Sequence, residues 1–188
     1  MTETSETQTY VTKALKEDIK AMVELNDHIY SSEWHVPEEY LAELMEKNPE
    51  VYNILNTEEG IKGIVSFFPL TKDIYEAVLC GKLEEKDISD YLLDYSSPKE
   101  VYLYLISLIV DIREYNYKNY SRQIIQSIPA ELKRIEAKGI TIKEIGAIAI
   151  STDGENVLPK IGFTQDKKSY KYPIFRASVA EVLNAIRI

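Results

Sequence analysis

The sequence predicts an α/β domain, an α+β mixed sheet with helices on both faces. Three observations predict it. Residues 101–110 (VYLYLISLIV) are almost continuously aliphatic, aromatic or β-branched, the composition of a central strand covered on both sides. Residues 51–56 and 61–68 are two β-rich runs separated by a turn holding Glu58, Glu59 and Gly60, so short a loop that the strands must be antiparallel. Apolar residues recur at helical spacing in several other segments, and helices must bury those stripes against a sheet or one another.

Taken in order, residues 1–8 are small and polar and are expected to be disordered, and residues 9–15 read as a first strand. Ile19, Met22, Val23 and Ile29 place a helix over 17–31, and a second helix starts at Pro37, suits Tyr40, Leu41, Leu44 and Met45 to one side, and stops at Asn48-Pro49. After the hairpin, residues 71–97 form a helical insertion, with helical spacing over 71–80 and 86–93 broken at Gly81. A polar loop follows the central strand. Ile124, Ile125, Ile128, Leu132 and Ile135 then form a stripe that Pro129 should kink and Gly139 should end. Residues 141–150 read as a strand, 151–160 as a short helix, 163–177 as a strand pair, and 178–188 as a closing helix. No segment repeats another and no linker divides the chain, so 1–188 is expected to be a single domain.

Composition narrows the function classes. With 31 acidic against 22 basic residues the net charge is -9, which repels nucleic acid and anionic lipid and favours a cationic or neutral substrate. Cys80 is the sole cysteine and there are two histidines without ligand spacing, so neither a disulfide nor a metal site is expected. The longest apolar run is about half of the roughly 20 residues a membrane helix needs. A cytoplasmic protein without membrane contact is the expectation.

The element order, and above all the run GITIKEIGAIAISTDGENVLPKIGF from Gly139 to Phe163, resembles the GNAT superfamily of acyl-CoA-dependent N-acetyltransferases. The resemblance covers residues 9–177 and sets 71–97 apart as an addition to the minimal fold. It implies a GNAT-like sheet whose fourth and fifth strands splay, so that main-chain groups near Leu108, Ile109 and Val110 hydrogen-bond the pantetheine arm of acetyl-CoA. It also implies pyrophosphate binding at the start of the next helix, where unpaired N–H groups and the helix dipole favour an anion. The family loop carries two glycine positions; here Asn116, Tyr117, Lys118, Asn119, Tyr120 and Ser121 align with it and neither glycine is present. Asn119 tolerates a left-handed conformation, Ser121 can cap a helix, and Lys118 and Arg122 add positive charge. Ser151, opening the next helix, completes the implied cofactor contacts.

For the chemistry, the resemblance implies attack of an amine on the thioester, with acetyl-CoA as co-substrate, no metal, and a small-molecule or peptide amine as acceptor. A homodimer is left open. Where many members place a proton-donating tyrosine this chain has Leu158, so either Tyr117 or Tyr120 protonates the thiolate or it leaves unassisted. Glu33 and His35, in the segment that walls the acceptor pocket in the family, are candidate bases or amine anchors; the same segment also reads as a solvated helix connection with Trp34 anchored in the core. Glu144 reads as a solvated strand carboxylate, His28 as a partly buried structural residue, and the Glu84-Glu85 run as a solvated face. The rival reading is a non-catalytic GNAT-fold module that binds a ligand or a partner.

Overall fold

The apolar runs pair as their spacing demands. In the computed structural model, which describes residues 8–168 and 170–187, β2 (Tyr52–Thr57) and β3 (Gly60–Leu70) form the antiparallel hairpin, turning at Gly60 with φ of 111°. Strand β1 (Tyr10–Lys13) pairs with β2, and the chain from Lys16 to Asp18 is a 3-10 turn where the helix expected over 17–31 was to begin. Strand β4 (Glu100–Val110) is the middle member of the seven-stranded sheet, order β1-β2-β3-β4-β5-β7-β6, as its two-sided apolar character requires. It runs antiparallel to β3 and parallel to β5 (Thr141–Ile148). The short strands β6 (Thr164–Gln165) and β7 (Ile174–Ala177) close the sheet.

Helices cover both faces. On one lie α4 (Tyr117–Glu136), α5 (Thr152–Lys160) and α6 (Val179–Ala185), whose Ile124, Ile128, Leu132, Leu158 and Val182 pack on Val101, Leu103 and Leu105. On the other lie α1 (Ile19–Ile29), α2 (Glu38–Lys47) and α3 (Lys72–Leu79), whose Met22, Leu25, Leu44 and Tyr75 pack on Ile64, Phe68 and Tyr104. The 71–97 insertion thus contributes α3 and a 3-10 turn, Glu85–Tyr91, where a second α-helix was expected. Helix α4 is unbroken through Pro129, and it begins at Tyr117, so the expected polar loop contributes its first turns. The expected disordered end, apart from Gln8, and the last residue of the closing helix lie outside the described residues.

One irregularity positions everything that follows. Ser66 faces Ser107 and Phe67 faces Leu105, leaving Ile106 without a partner on β3. Such a bulge bends its strand and increases the twist. Beyond it β4 stays with β3, while β5 stays with β7 through Ile148 opposite Ile174 and the Ala149 amide on the Pro173 carbonyl at 3.0 Å. The last β4–β5 pair is Leu105 with Ala147, so the two parallel strands part there.

Candidate active site

Because β4 and β5 are parallel, their C-terminal ends leave the fork at the same edge, and α4 and α5 both begin there. Main-chain groups in a strand alternate sides. The Asp111 amide donates to the Lys62 carbonyl at 2.8 Å, so Ile109, two residues back and opposite Ile64, also faces β3. Leu108 and Val110 then direct their N–H and C=O groups into the gap, where β5 has already turned away. Of the three residues expected to meet a pantetheine arm, two present main-chain groups to the fork and Ile109 spends its own on the sheet. A strand edge left open this way offers its main-chain groups to a ligand or to water, since a buried backbone group without a partner costs free energy.

The tip of α4 meets the same edge. Among the described residues no acceptor pairs with the amides of Asn116 and Lys118, whereas the Tyr117 amide reaches the Glu114 carbonyl at 3.2 Å and the Asn119 and Tyr120 amides reach the Asn116 carbonyl at 2.9 and 3.1 Å. No acid lies in the first turn, and Lys118 and Arg122 are exposed there. The two nearby acids are already neutralised: Asp111 by a bidentate pair with Arg113 at 2.7 and 2.8 Å, Glu114 by Lys62 at 2.5 Å. The hydrogen bonds from Arg113 hold the buried Asp111 carboxyl below its usual range and lock the β4–α4 connection. A cleft of about 600 Å³ opens over this tip, walled by Ile112, Tyr115, Tyr117, Lys118 and Arg122. Tyr115 projects from it almost wholly exposed, at 97%.

Local conformation departs from the expected loop in three respects. Asn119 is helical, and among the described residues only glycines have positive φ, so its left-handed tolerance is unused. Ser121 does not cap; its hydroxyl donates to the Tyr117 carbonyl one turn back at 2.9 Å, and the N-cap position is Asn116. Tyr120 is buried in the α4-side core, while Tyr117 lines the cleft. Leu158, in the place of the family's tyrosine, is core. Ser151 caps α5 by accepting the Gly154 amide at 3.1 Å, on the β5 side of the fork.

Glu33 and His35 lie elsewhere, on the opposite face of the sheet from Tyr117 and Tyr120. They flank Trp34 in a 3-10 turn between α1 and α2; the His35 ring contacts the Tyr30 carbonyl at 2.9 Å, and Trp34 meets Tyr172 of the β6–β7 connection edge-on at 5.7 Å. Both side chains are exposed or nearly so. His28, expected to be partly buried, is exposed and contacts the Glu24 carbonyl. Glu144 is only partly solvated: it accepts from the Tyr75 hydroxyl at 2.8 Å and from Arg176 at 2.7 Å, and Arg176 also binds Glu76 and Asp166, fastening α3 to β5, β6 and β7. A cavity of about 230 Å³, bordered by Cys80, Lys168 and Tyr170, sits beside that knot.

Sequence reasoning missed one group. Glu84 is exposed and pairs with Lys86, but the Glu85 carboxyl turns inward and accepts a hydrogen bond from the Tyr104 hydroxyl, on the last β4 residue before the fork's final pair. Burial raises its pKa, opposed by the Tyr104 bond. The 3-10 turn explains the inversion, because with three residues per turn Glu85 shares a face with Ile88, which is fully buried. The legible clue was Tyr104, a phenol on a fully covered strand that had to find a partner.

Among the described residues no group of His, Cys, Asp and Glu is placed to hold a metal ion, and no helix is long and apolar enough to cross a membrane. No protein-family model and no curated relative matches the sequence. Solved structures do match the fold. The loading GNATL domain of CurA from Lyngbya majuscula aligns over 92% of this chain and 98% of its own, with TM-score 0.63 and 11% identity. A GNAT-family acetyltransferase from Listeria monocytogenes aligns over 92% and 95%, with TM-score 0.55 and 14% identity. The PaiA N-acetyltransferase from Thermoplasma acidophilum, solved in complex with coenzyme A, aligns over 91% and 99%, with TM-score 0.56 and 14% identity. The chain therefore has the GNAT fold, the mixed sheet and flanking helices of these acetyltransferases.

Proposed function

We propose that this chain is an acyl-CoA-dependent acyltransferase that moves an acetyl group from acetyl-CoA to an amine by direct attack. The observation that carries the proposal is the fork itself: a bulge at Ile106, parted strands after Leu105 and Ala147, and main-chain groups of Leu108 and Val110 aimed into the gap beside an open helix tip. The residues present fit the cofactor. Leu108 and Val110 can hydrogen-bond an amide-bearing pantetheine arm, and the free Asn116 and Lys118 amides, with Lys118 and Arg122, suit the pyrophosphate without glycines. The PaiA enzyme, similar in fold, was solved with coenzyme A bound, which supports the same assignment here.

Acetyl-CoA supplies the activated acyl group. An N–H of Leu108 or Val110 in the gap can bond the carbonyl oxygen as negative charge develops on it, an interaction stronger in the transition state than in the ground state. The neutral acceptor amine forms its bond to the carbonyl carbon as the C–S bond breaks, and the nitrogen releases its proton to solvent. With Leu158 unable to donate a proton, Tyr117 at the cleft wall or solvent serves the departing thiolate; a thiol pKa of about 8.5 makes solvent adequate. The missing glycines and the buried Leu158 favour a second reading, a ligand-binding module without turnover. Titration calorimetry with acetyl-CoA, followed by thiol release across a panel of amines, decides between them. Binding with turnover supports the enzyme, binding without turnover supports the module, and no binding at all refutes both cofactor assignments.

A further inference from the structure

The connection between β6 and β7, residues 166–173 (DKKSYKYP), runs against the charge of the rest of the chain. Lysines fill three of the five positions 167–171 in a protein of net charge -9. Lys167, Lys168 and Lys171 are exposed, and among the described residues no carboxylate forms an ion pair with any of them. The acid of the loop is already engaged: Asp166 holds Arg176 at 2.9 Å and accepts the Lys168 amide at 3.0 Å. With the Asp166 amide on the Ile174 carbonyl at 2.8 Å, these bonds fix the base of the loop, and the edge-on contact of Tyr172 with Trp34 fixes its far side.

Ile174 faces Ile148, the last residue of β5, so the loop projects from the edge where β4 and β5 part. Trp34, and Glu76 of α3 across the cavity that Lys168 and Tyr170 border, place it on the α1/α2 face. Asp153 and Glu155 of α5 stand on the opposite face, while Glu33, next to Trp34, offsets one of the three charges. Lys118 and Arg122 are on α4, across β5, so these lysines are not needed for the cofactor. A nucleic-acid strand would require successive aromatic faces as well as cations. Here Tyr172 is engaged by Trp34 and by the Lys171 ammonium, 5.3 Å from its ring, which leaves Tyr170 as the exposed ring of the loop. Compact ammonium groups on flexible stems suit carboxylates that arrive without a fixed geometry.

We propose that Lys167, Lys168 and Lys171 form a docking surface for an acidic peptide segment, with the acceptor amine at the N-terminus of that peptide. The amine's fate rests on the acyltransfer reading; the docking does not. Strand β7 is two strands from β4, about 10 Å at the usual spacing, which an extended peptide covers in about three residues. The acids therefore begin about three residues after the amine. Net charge points to a cationic or neutral acceptor, and this surface reverses that expectation locally.

Docking is read by binding, without turnover. The peptide Ser-Ala-Gly-Asp-Glu-Asp, labelled with fluorescein at its C-terminus, should bind the full chain saturably in anisotropy titrations, and its amide counterpart Ser-Ala-Gly-Asn-Gln-Asn should not. Replacing all three lysines, Lys167→Gln with Lys168→Gln and Lys171→Gln, should weaken binding roughly tenfold, the scale of three exposed ion pairs, and leave acetyl-CoA affinity unchanged. In the wild-type chain, which serves should the variant fail to fold, raising NaCl from about 0.05 M to about 0.5 M should weaken binding by screening. Equal affinity for the two peptides, an unaffected folded variant, or salt-independent binding would overturn the surface. So would an unlabelled oligouridylate that displaces the peptide at lower concentration than the unlabelled peptide does, which would assign the loop to RNA. Acetyl-CoA titrated separately distinguishes the two ideas. Lysine-dependent peptide binding without acetyl-CoA binding leaves this surface standing and removes the acyltransfer reading, whereas acetyl-CoA binding without preference for the acidic peptide removes the surface alone.

Discussion

Placing a proline at Val110 tests the fork at the level of a single main-chain group. If the alternation set by the Asp111 amide on Lys62 holds, the Val110 N–H faces the gap and takes no part in the β3–β4 ladder. Val110→Pro then removes one donor from the cofactor site and no ladder bond from the sheet. The lost bond is worth about 0.5–1.5 kcal/mol, which is roughly a two- to tenfold rise in the acetyl-CoA Kd. Ile109→Pro is the counterpart. Its N–H lies opposite Ile64 within the ladder, so proline there leaves a buried β3 carbonyl unpaired at about 1–3 kcal/mol of stability, on top of losing a fully packed side chain. Val110→Ala corrects for the side chain alone. Calorimetry for affinity and thermal melting for stability should therefore separate the two prolines, the first costing mainly binding and the second mainly folding. Wild-type affinity in Val110→Pro, or equal destabilisation by both, would refute the assignment of the gap-facing groups.

Other perturbations have outcomes of definite sign. Asn119→Glu sets a carboxylate in the first turn of α4 beside the proposed pyrophosphate position and should weaken acetyl-CoA binding several-fold, less so at high salt; unchanged calorimetric affinity would move the phosphate elsewhere. Gly146→Ala would drive a methyl into the Tyr75 hydroxyl and to 2.8 Å from a Leu79 methyl, so α3 must retreat from β5. A loss on the order of 1–3 kcal/mol in denaturant melts is expected, and none if the insertion is loosely held. Asp111 has its folded pKa depressed below 3.8 by Arg113, so its contribution to stability is present above the unfolded value and is lost as pH falls through the folded one. Asp111→Asn should remove that part of the acid-limb decline, seen as a smaller difference between melts at neutral and strongly acidic pH. Glu85 has the opposite sign: its raised pKa makes stability fall as pH rises through it, so Glu85→Gln should melt higher than wild type at neutral pH and no higher in mild acid. A lower melting temperature for Glu85→Gln at neutral pH would mean that the carboxylate stabilises the fold.

The split between what was legible in the chain and what was not follows the range of the forces involved. Periodicity and local turn chemistry are short-range, and they were enough to place nearly every element: the run 101–110 is β4, Gly60 turns the hairpin, and Gly139, with φ of 81°, ends the segment after α4. They also named the edge of the sheet where the fork lies, because Leu108 to Val110 close the central strand. Site details fared differently. Tyr117 to Arg122 were read as loop because the family's glycines set that expectation, yet their own propensities are compatible with helix and the Asn116 carbonyl accepts the bonds that start one.

Hydrophobic spacing alone specifies the mixed sheet with helices on both faces and the position of its central strand, since burial on one face or two is written into that spacing. Long-range packing sets which partner each strand keeps, the bulge at Ile106 that parts β4 from β5, and the inward turn of Glu85 onto Tyr104. The physical reason is that a register shift and a buried carboxylate are settled by groups tens of residues apart in the chain. Glu85 is 19 residues from Tyr104 and 45 from Tyr40. No local pattern separates it from its exposed neighbour Glu84; packing of the insertion against the sheet does.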